Sequence, residues 1–216
     1  MNPALRQSIW DRRLLPAGAR WVEYLGGTGT QWIDTGVIPN SLSSREMHIR
    51  ASYHGGNEPA CLLGSCVPGP TYQPFYYQIN KTPTANQFRL ITAGNGDAFY
   101  YLNDAQEFHD YKLVGNLLYL DNSLVCEGLG SGTSSYVPST LFYARRNFDG
   151  TVVQQGNWWI AKSTILDSGV ALRDFRPIAI GTTGYMLDLL TGEYEQYGNG
   201  GTGDFVIGPS RSAPAA

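Results

Sequence analysis

Between residues 46 and 53 the side chains alternate in character. Met47, Ile49 and Ala51 fall on one face, and His48, Arg50 and Ser52 fall on the other. A period of two is the mark of a strand with one face buried and one wet. Looser alternation marks Trp21–Leu25, followed by the turn Gly26-Gly27-Thr28-Gly29 and a second strand over Thr30–Val37, stopped by Pro39. Further strands are predicted at Cys61–Val67, Pro74–Ile79, Gln87–Thr92 and Phe99–Leu102. Tyr111–Val125 reads as hairpins turning at Gly115-Asn116 and Asp121-Asn122, residue pairs that tolerate the left-handed backbone of tight turns. After a Gly/Ser loop at Gly128–Ser135 come Leu141–Arg145, Trp158–Ile165, Leu172–Ile178, Gly184–Asp188 and Asp204–Ile207. One helical segment is predicted, Ser8–Leu15, capped by Ser8 and ended before Pro16; it is too short to hold alone. A long series of short strands separated by turn signals predicts an all-β, two-sheet antiparallel jelly-roll sandwich. The domain is expected over 21–208, with an arm at 1–20 and a flexible tail at 209–216.

Composition agrees with that class. The chain has 216 residues, of which 15% are charged, 12% are aromatic and 26 are glycine. Few charges and many rings suit a large sandwich core and exclude a disordered chain. The net charge is −3 and no basic block occurs, so a nucleic-acid partner is not expected. No apolar run reaches the length of a membrane span, and the first residues lack the apolar stretch of a signal peptide. Membrane insertion is therefore not expected, and synthesis in a cytoplasm is. The cysteines, at 61, 66 and 126, are odd in number and lack zinc-ligand spacing. Three buried thiols are expected, with a Cys61–Cys66 bridge across a hairpin as the alternative.

Two blocks carry a family likeness. The first runs Leu15-Pro16-Ala17-Gly18, Val22-Glu23-Tyr24-Leu25 and Thr28-Gly29-Thr30-Gln31-Trp32-Ile33-Asp34-Thr35-Gly36. The second runs Leu166-Asp167-Ser168-Gly169, Arg173-Asp174-Phe175-Arg176-Pro177 and Gly184-Tyr185-Met186-Leu187-Asp188, and closes with Tyr197-Gly198-Asn199-Gly200-Gly201-Thr202-Gly203-Asp204-Phe205. Together they resemble the opening and closing motifs of concanavalin A-like (laminin G-like) jelly-roll domains, which are frequent in phage virion proteins and in surface proteins of gut bacteria. The chain departs from the pattern where Gly26-Gly27 replaces a Glu-Ser pair and where Ser163 stands in place of Phe. The resemblance implies a fold more than a function. Physically, Gly27, Gly29 and Gly36 allow tight turns, Asp34 accepts backbone hydrogen bonds, and Phe175 points into the core while Asp174 and Arg176 point away. The Gly200–Gly203 stretch lets the last strand return beside the first.

Catalytic chemistry is not announced. Glucanases of this fold place carboxylates at alternate positions of one strand, and no such strand occurs. Glu193-Tyr194-Glu195 is the nearest approach and reads as solvated. His48, His54 and His109 have no Gly-x-Ser-x-Gly elbow beside them. No catalytic residue, no metal ligand and no cofactor is expected; Asp97, Asp104, Asp121 and Asp149 are the loop carboxylates that Ca²⁺ would need, and each reads as a turn residue.

Sugar binding is the sharper expectation. Two aromatic clusters, Tyr72–Gln78 and Asn157-Trp158-Trp159, must send some rings outward by strand alternation, and Tyr143 with Arg145 and Arg146 is a third. The candidate glycan-binding residues are Tyr76, Trp158, Trp159 and Arg145. The opposing explanation is that a large sandwich core simply needs aromatics. Trp10 and Leu14 are candidates for docking the arm on a partner, or for packing it on the sandwich. The expected function is a non-enzymatic virion structural, decoration or fibre component with a lectin-like jelly roll. Its partners would be other virion proteins through residues 1–20, surface glycans, and copies of itself in a symmetric assembly. A stand-alone carbohydrate-binding module of a bacterial surface protein is the alternative, and a glycoside hydrolase comes last.

Overall fold

The computed structural model describes residues 15–38, 44–56, 59–67, 75–92, 97–128, 139–147 and 149–212, without the side chains of 67 and 75–77. The expected helix at 8–15, with Trp10 and Leu14, lies almost wholly outside the described residues, as does most of the Gly/Ser loop. The strands are β1 (Ala19–Trp21), β2 (Leu25–Gly26), β3 (Ile33–Asp34), β4 (Arg45–Tyr53), β5 (Ala60–Val67) and β6 (Phe75–Lys81). They continue as β7 (Gln87–Thr92), β8 (Asp97–Tyr101), β9 (His109–Val114), β10 (Leu117–Leu120), β11 (Ser123–Glu127) and β12 (Leu141–Phe142). The last are β13 (Arg145–Asn147), β14 (Val152–Val153), β15 (Trp158–Asp167), β16 (Val170–Ile180), β17 (Thr183–Asp188) and β18 (Val206–Ile207). Among the described residues there is no α-helix; a single 3-10 turn spans Glu195–Tyr197.

Two sheets form a sandwich of jelly-roll kind. The ten-stranded sheet runs β1-β16-β15-β4-β9-β10-β11, with β17 on β16, β2 on β15 and β18 on β2. The eight-stranded sheet runs β14-β13-β5-β6-β7-β8, with β12 bridging β5 and β3. Pairing is antiparallel except between β13 and β5. The alternation of β4 is borne out: Met47, Ile49 and Ala51 are buried against Leu63, Ile79 and Leu90 of the facing sheet. Trp158 sits deep in that core, against the rings of Tyr53, Phe88 and Tyr111. A second aromatic knot joins Phe142, Phe175 and Tyr197 edge to face. Phe175 is fully buried while Asp174 and Arg176 are half-buried, as the motif requires. The Asp121-Asn122 turn has both residues at positive φ (48° and 68°), the geometry that matches strand twist in a two-residue hairpin.

Several expectations fail for identifiable reasons. The strand over Thr30–Val37 shrinks to Ile33–Asp34, because Gln31 turns inward and donates to the carbonyls of Thr202 (3.0 Å) and Asp204 (3.2 Å). The strand over Leu141–Arg145 is broken at Tyr143, whose φ is +64°. β12 runs antiparallel to β5 and β13 parallel to it, so the chain reverses at this residue. The tail does not begin at 209. Pro209 accepts from Glu23 N (2.9 Å), Arg211 N donates to Trp21 O (3.1 Å), and Ser210 bridges Val22. Likewise β1 begins inside the expected arm. All three cysteines are free thiols, so no Cys61–Cys66 bridge forms, and Cys126 is only half-buried.

Candidate functional site

One cleft is built where β3 meets the closing loop that follows β17. Ile33 is fully buried, and alternation therefore turns its neighbours Trp32 and Asp34 away from the core. They form one wall of a cleft of about 530 Å³; Arg146 of β13, Tyr185 of β17, and Glu195, Asn199 and Asp204 complete it. A Cβ at Gly200 would lie 2.4 Å from the indole of Trp32, so only glycine lets the closing loop lie flat on that ring. The loop is pinned: Gly200 N donates to Trp32 O (2.8 Å) and Thr202 N to Thr30 O (3.2 Å). The Asn199 carboxamide accepts from Gly201 N (2.8 Å) and donates to Gly203 O (2.5 Å).

Arg146 and Asp34 meet across 112 positions of sequence. The guanidinium donates to Asp34 Oδ2 (2.5 Å) and to Ser139 Oγ (2.8 Å), and lies 5.3 Å from the centre of the Trp32 ring. Asp34 Oδ1 accepts from Gly36 N (2.9 Å), the strand-end bond its position predicts. Arg146 reaches this place because the chain doubles back at Tyr143. That residue is fully buried in a left-handed conformation, and its hydroxyl donates to Leu25 O (2.7 Å). A non-glycine residue held at positive φ stores strain that packing must offset. Tyr185 stands edge to face with Tyr194 at 5.4 Å, and both pack on the small outer cluster of Trp21, Ile178 and Leu187. An adjoining hollow of about 320 Å³ is lined by Gly192–Gln196 and shares Glu195 and Gln196 with the cleft. The cleft thus brings the Trp32 and Tyr185 rings, an oriented ion pair, carboxylates and amides into one concavity.

The residues singled out from sequence do not assemble there. Trp158 is fully buried and donates through its indole N–H to Ala60 O (3.2 Å); it belongs to the core and has no surface for a sugar. Trp159 does face outward, but its ring is sandwiched between His54 (3.6 Å between centroids) and Tyr24 (4.3 Å). Both its faces are occupied, so it stiffens the sheet surface instead of offering a platform. Gly26 makes the room, since a Cβ there would sit 2.6 Å from the indole. Arg145 lies over Gly64, beside the Cys61 thiol, while its neighbour Arg146 enters the cleft. The side chain of Tyr76, and Trp10 and Leu14 entirely, lie outside the described residues. The sequence reading places Trp32 on a strand and gives Asp34 and the closing glycines strand-end and turn roles. The available signal was that Trp32 and Asp34 flank a core residue and must both leave the core.

Of the remaining titratable groups, His54, Lys81, Asp104 and Glu107 line a second cleft of about 500 Å³. His48 contacts Glu46 on the outer face of β4 (3.2 Å). His54 Nε2 and Ser52 Oγ are 2.9 Å apart, and Ser52 is fully buried; burial lowers the His54 pKa. His109 donates to Asp121 (2.6 Å) and lies 3.4 Å from Asp104. Burial pulls its pKa down, but the bonds to Asp121 and to the Asp104 carbonyl, with both carboxylate charges, outweigh that and raise it. Asp97 pairs with Arg89 (3.1 Å), and Asp149 caps its own turn through Thr151. Among the described residues no group of three or more His, Cys, Asp or Glu is arranged to hold a metal ion, and no helix is long and apolar enough to cross a membrane. No protein-family model matches the chain, and no curated protein matches it significantly.

Proposed function

We propose that this chain is a non-catalytic carbohydrate-binding domain, a jelly roll of the concanavalin A-like type, and that its sugar site is the cleft between Trp32 and the closing loop. The observation that carries this is the pairing of Trp32 and Tyr185 with the Arg146–Asp34 ion pair, Asn199 and Asp204 in one concavity. A pyranose presents an apolar CH face and a rim of hydroxyls. Rings take the former; fixed donors and acceptors take the latter. Arg146 and Asp34 hold each other, and Asn199 is held by backbone, so a ligand meets groups already oriented and little ordering cost remains. Asp34 is committed to a guanidinium and an amide, which suits a fixed acceptor.

The test is a glycan array followed by titration calorimetry on the best ligand. Trp32→Ala is expected to abolish binding while the circular-dichroism spectrum stays β-type. Tyr185→Ala is expected to weaken binding about tenfold, the scale of one ring contact of 1–1.5 kcal/mol. A flat array, or binding that ignores Trp32→Ala, refutes the proposal. We further propose that the domain serves an exposed assembly, a virion or a bacterial surface, with the N-terminal arm as its anchor. Because β1 begins at Ala19 and pairs with β16, removal of residues 1–14 is the clean test. Particle incorporation should be lost and sugar binding kept; retained incorporation counts against the anchor.

A further inference from the structure

Resting on that carbohydrate site, we infer that its preferred ligand is a sugar bearing a free amine and that acidic sugars are refused. The lining residues carry the inference. The cation of the cleft, Arg146, is already spent on Asp34 at 2.5 Å, and that pair is neutral to an approaching ligand. Glu195 and Asp204 line the same cleft, and Glu193 lines the adjoining hollow; among the described residues neither Lys nor His lines either. Glu193 accepts from the Gln196 amide (2.5 Å), and Glu195 from the Tyr194 hydroxyl (3.5 Å). Those donors are uncharged. Alone, such carboxylates would be a solvated rim. Here they stand as exposed groups at the edge of a concavity lined by Trp32 and Tyr185, and carboxylates of one sign around a cleft raise the local concentration of a cation. A uronate, sulfate or sialate would need a free cation, and the described lining supplies none; an ammonium on a sugar ring finds two or three carboxylates beside the indole.

Calorimetry on the whole chain separates the alternatives, using four probes of matched length: a glucosamine oligomer, its N-acetylated counterpart, a galacturonate oligomer and a lysine tetramer. The glucosamine oligomer is expected to bind about five- to tenfold more tightly than the N-acetylated one in low salt, the sum of two partly exposed charge contacts. The difference should collapse near 1 M salt, where screening acts within about 3 Å. The double variant Glu193→Gln, Glu195→Gln changes exposed side chains only; it should erase the amine preference and leave binding of the N-acetylated oligomer intact. Trp32-dependent binding with no amine preference, or with the galacturonate oligomer preferred, overturns the inference and leaves the sugar site standing. A lysine tetramer that binds as tightly as the glucosamine oligomer overturns it too, since charge alone would then suffice. Binding of no oligomer of any class overturns the sugar site itself and the inference with it.

Discussion

Trp158 and Trp159 are adjacent in sequence and opposite in role, which makes them a sensitive test of the architecture. Trp158→Ala removes a fully buried indole from the meeting point of Tyr53, Phe88 and Tyr111. Truncating a buried Trp costs about 3–5 kcal/mol through lost burial and the cavity left behind. The Ala60 carbonyl also loses its indole donor, which adds about 1 kcal/mol. The total, roughly 4–6 kcal/mol, is a large share of the 5–15 kcal/mol that holds a typical domain, and at about 2–4 °C per kcal/mol it lowers Tm by roughly 10–20 °C. Trp159→Ala instead removes an outer ring stacked between His54 and Tyr24. Two stacking contacts of about 0.5–1.5 kcal/mol each give roughly 1–3 kcal/mol. Urea titrations of both variants followed by circular dichroism read the difference directly. If Trp159→Ala proves the more damaging, or Trp158→Ala stays within about 1 kcal/mol of the parent, the assignment of inward and outward faces on β15 is wrong.

His109→Gln should lower stability by about 1 kcal/mol near pH 5.5, given the partly exposed partner Asp121. The raised folded pKa of His109 means its contribution is full below about pH 6.5 and fades as pH rises through the folded value. The lowered pKa of Asp121, held down by the His109 bond and by the Asp110 amide, means its share is present above about pH 4 and fades as pH falls. Urea midpoints of parent and variant should therefore differ most between those limits, and a gap that widens above pH 8 contradicts the pairing. Gly200→Val drives a side chain into the Trp32 ring; it should cost about 1–3 kcal/mol and lose sugar binding, as thermal melts and calorimetry will report. Burial pushes the Cys61 thiol up to about 12, and that of Cys126 up to about 11. A thiol reagent at pH 8 should find the native chain almost inert and all three cysteines reactive in guanidinium.

The parts of the fold legible in the sequence are those whose cause is local. β4 announces itself by alternation, and β9 to β11 by alternation joined through Asp121-Asn122, because neighbouring residues alone decide which face is buried and where the chain turns. The same alternation required Trp158 and Trp159 to part company but gave no reason to choose between them. That choice is made by Gly26 of a distant strand, which alone leaves space for an indole on the outer face. Tyr143 gives no local hint of positive φ; its left-handed turn is imposed by the hydroxyl bond to Leu25 and by the reversal from β12 to β13.

The cleft was hidden for that same reason. Its ion pair joins residues 112 positions apart, and its floor exists only once the closing glycines have been laid against Trp32. The glycines that read as turn residues are thus also the residues that shape the cleft, and their two roles cannot be separated by composition. Space at Gly200 both closes the sandwich and sets the loop against the indole at the cleft wall. A substitution there is therefore expected to couple stability to recognition, whereas Glu195 and Asp204, exposed on the rim, alter recognition alone.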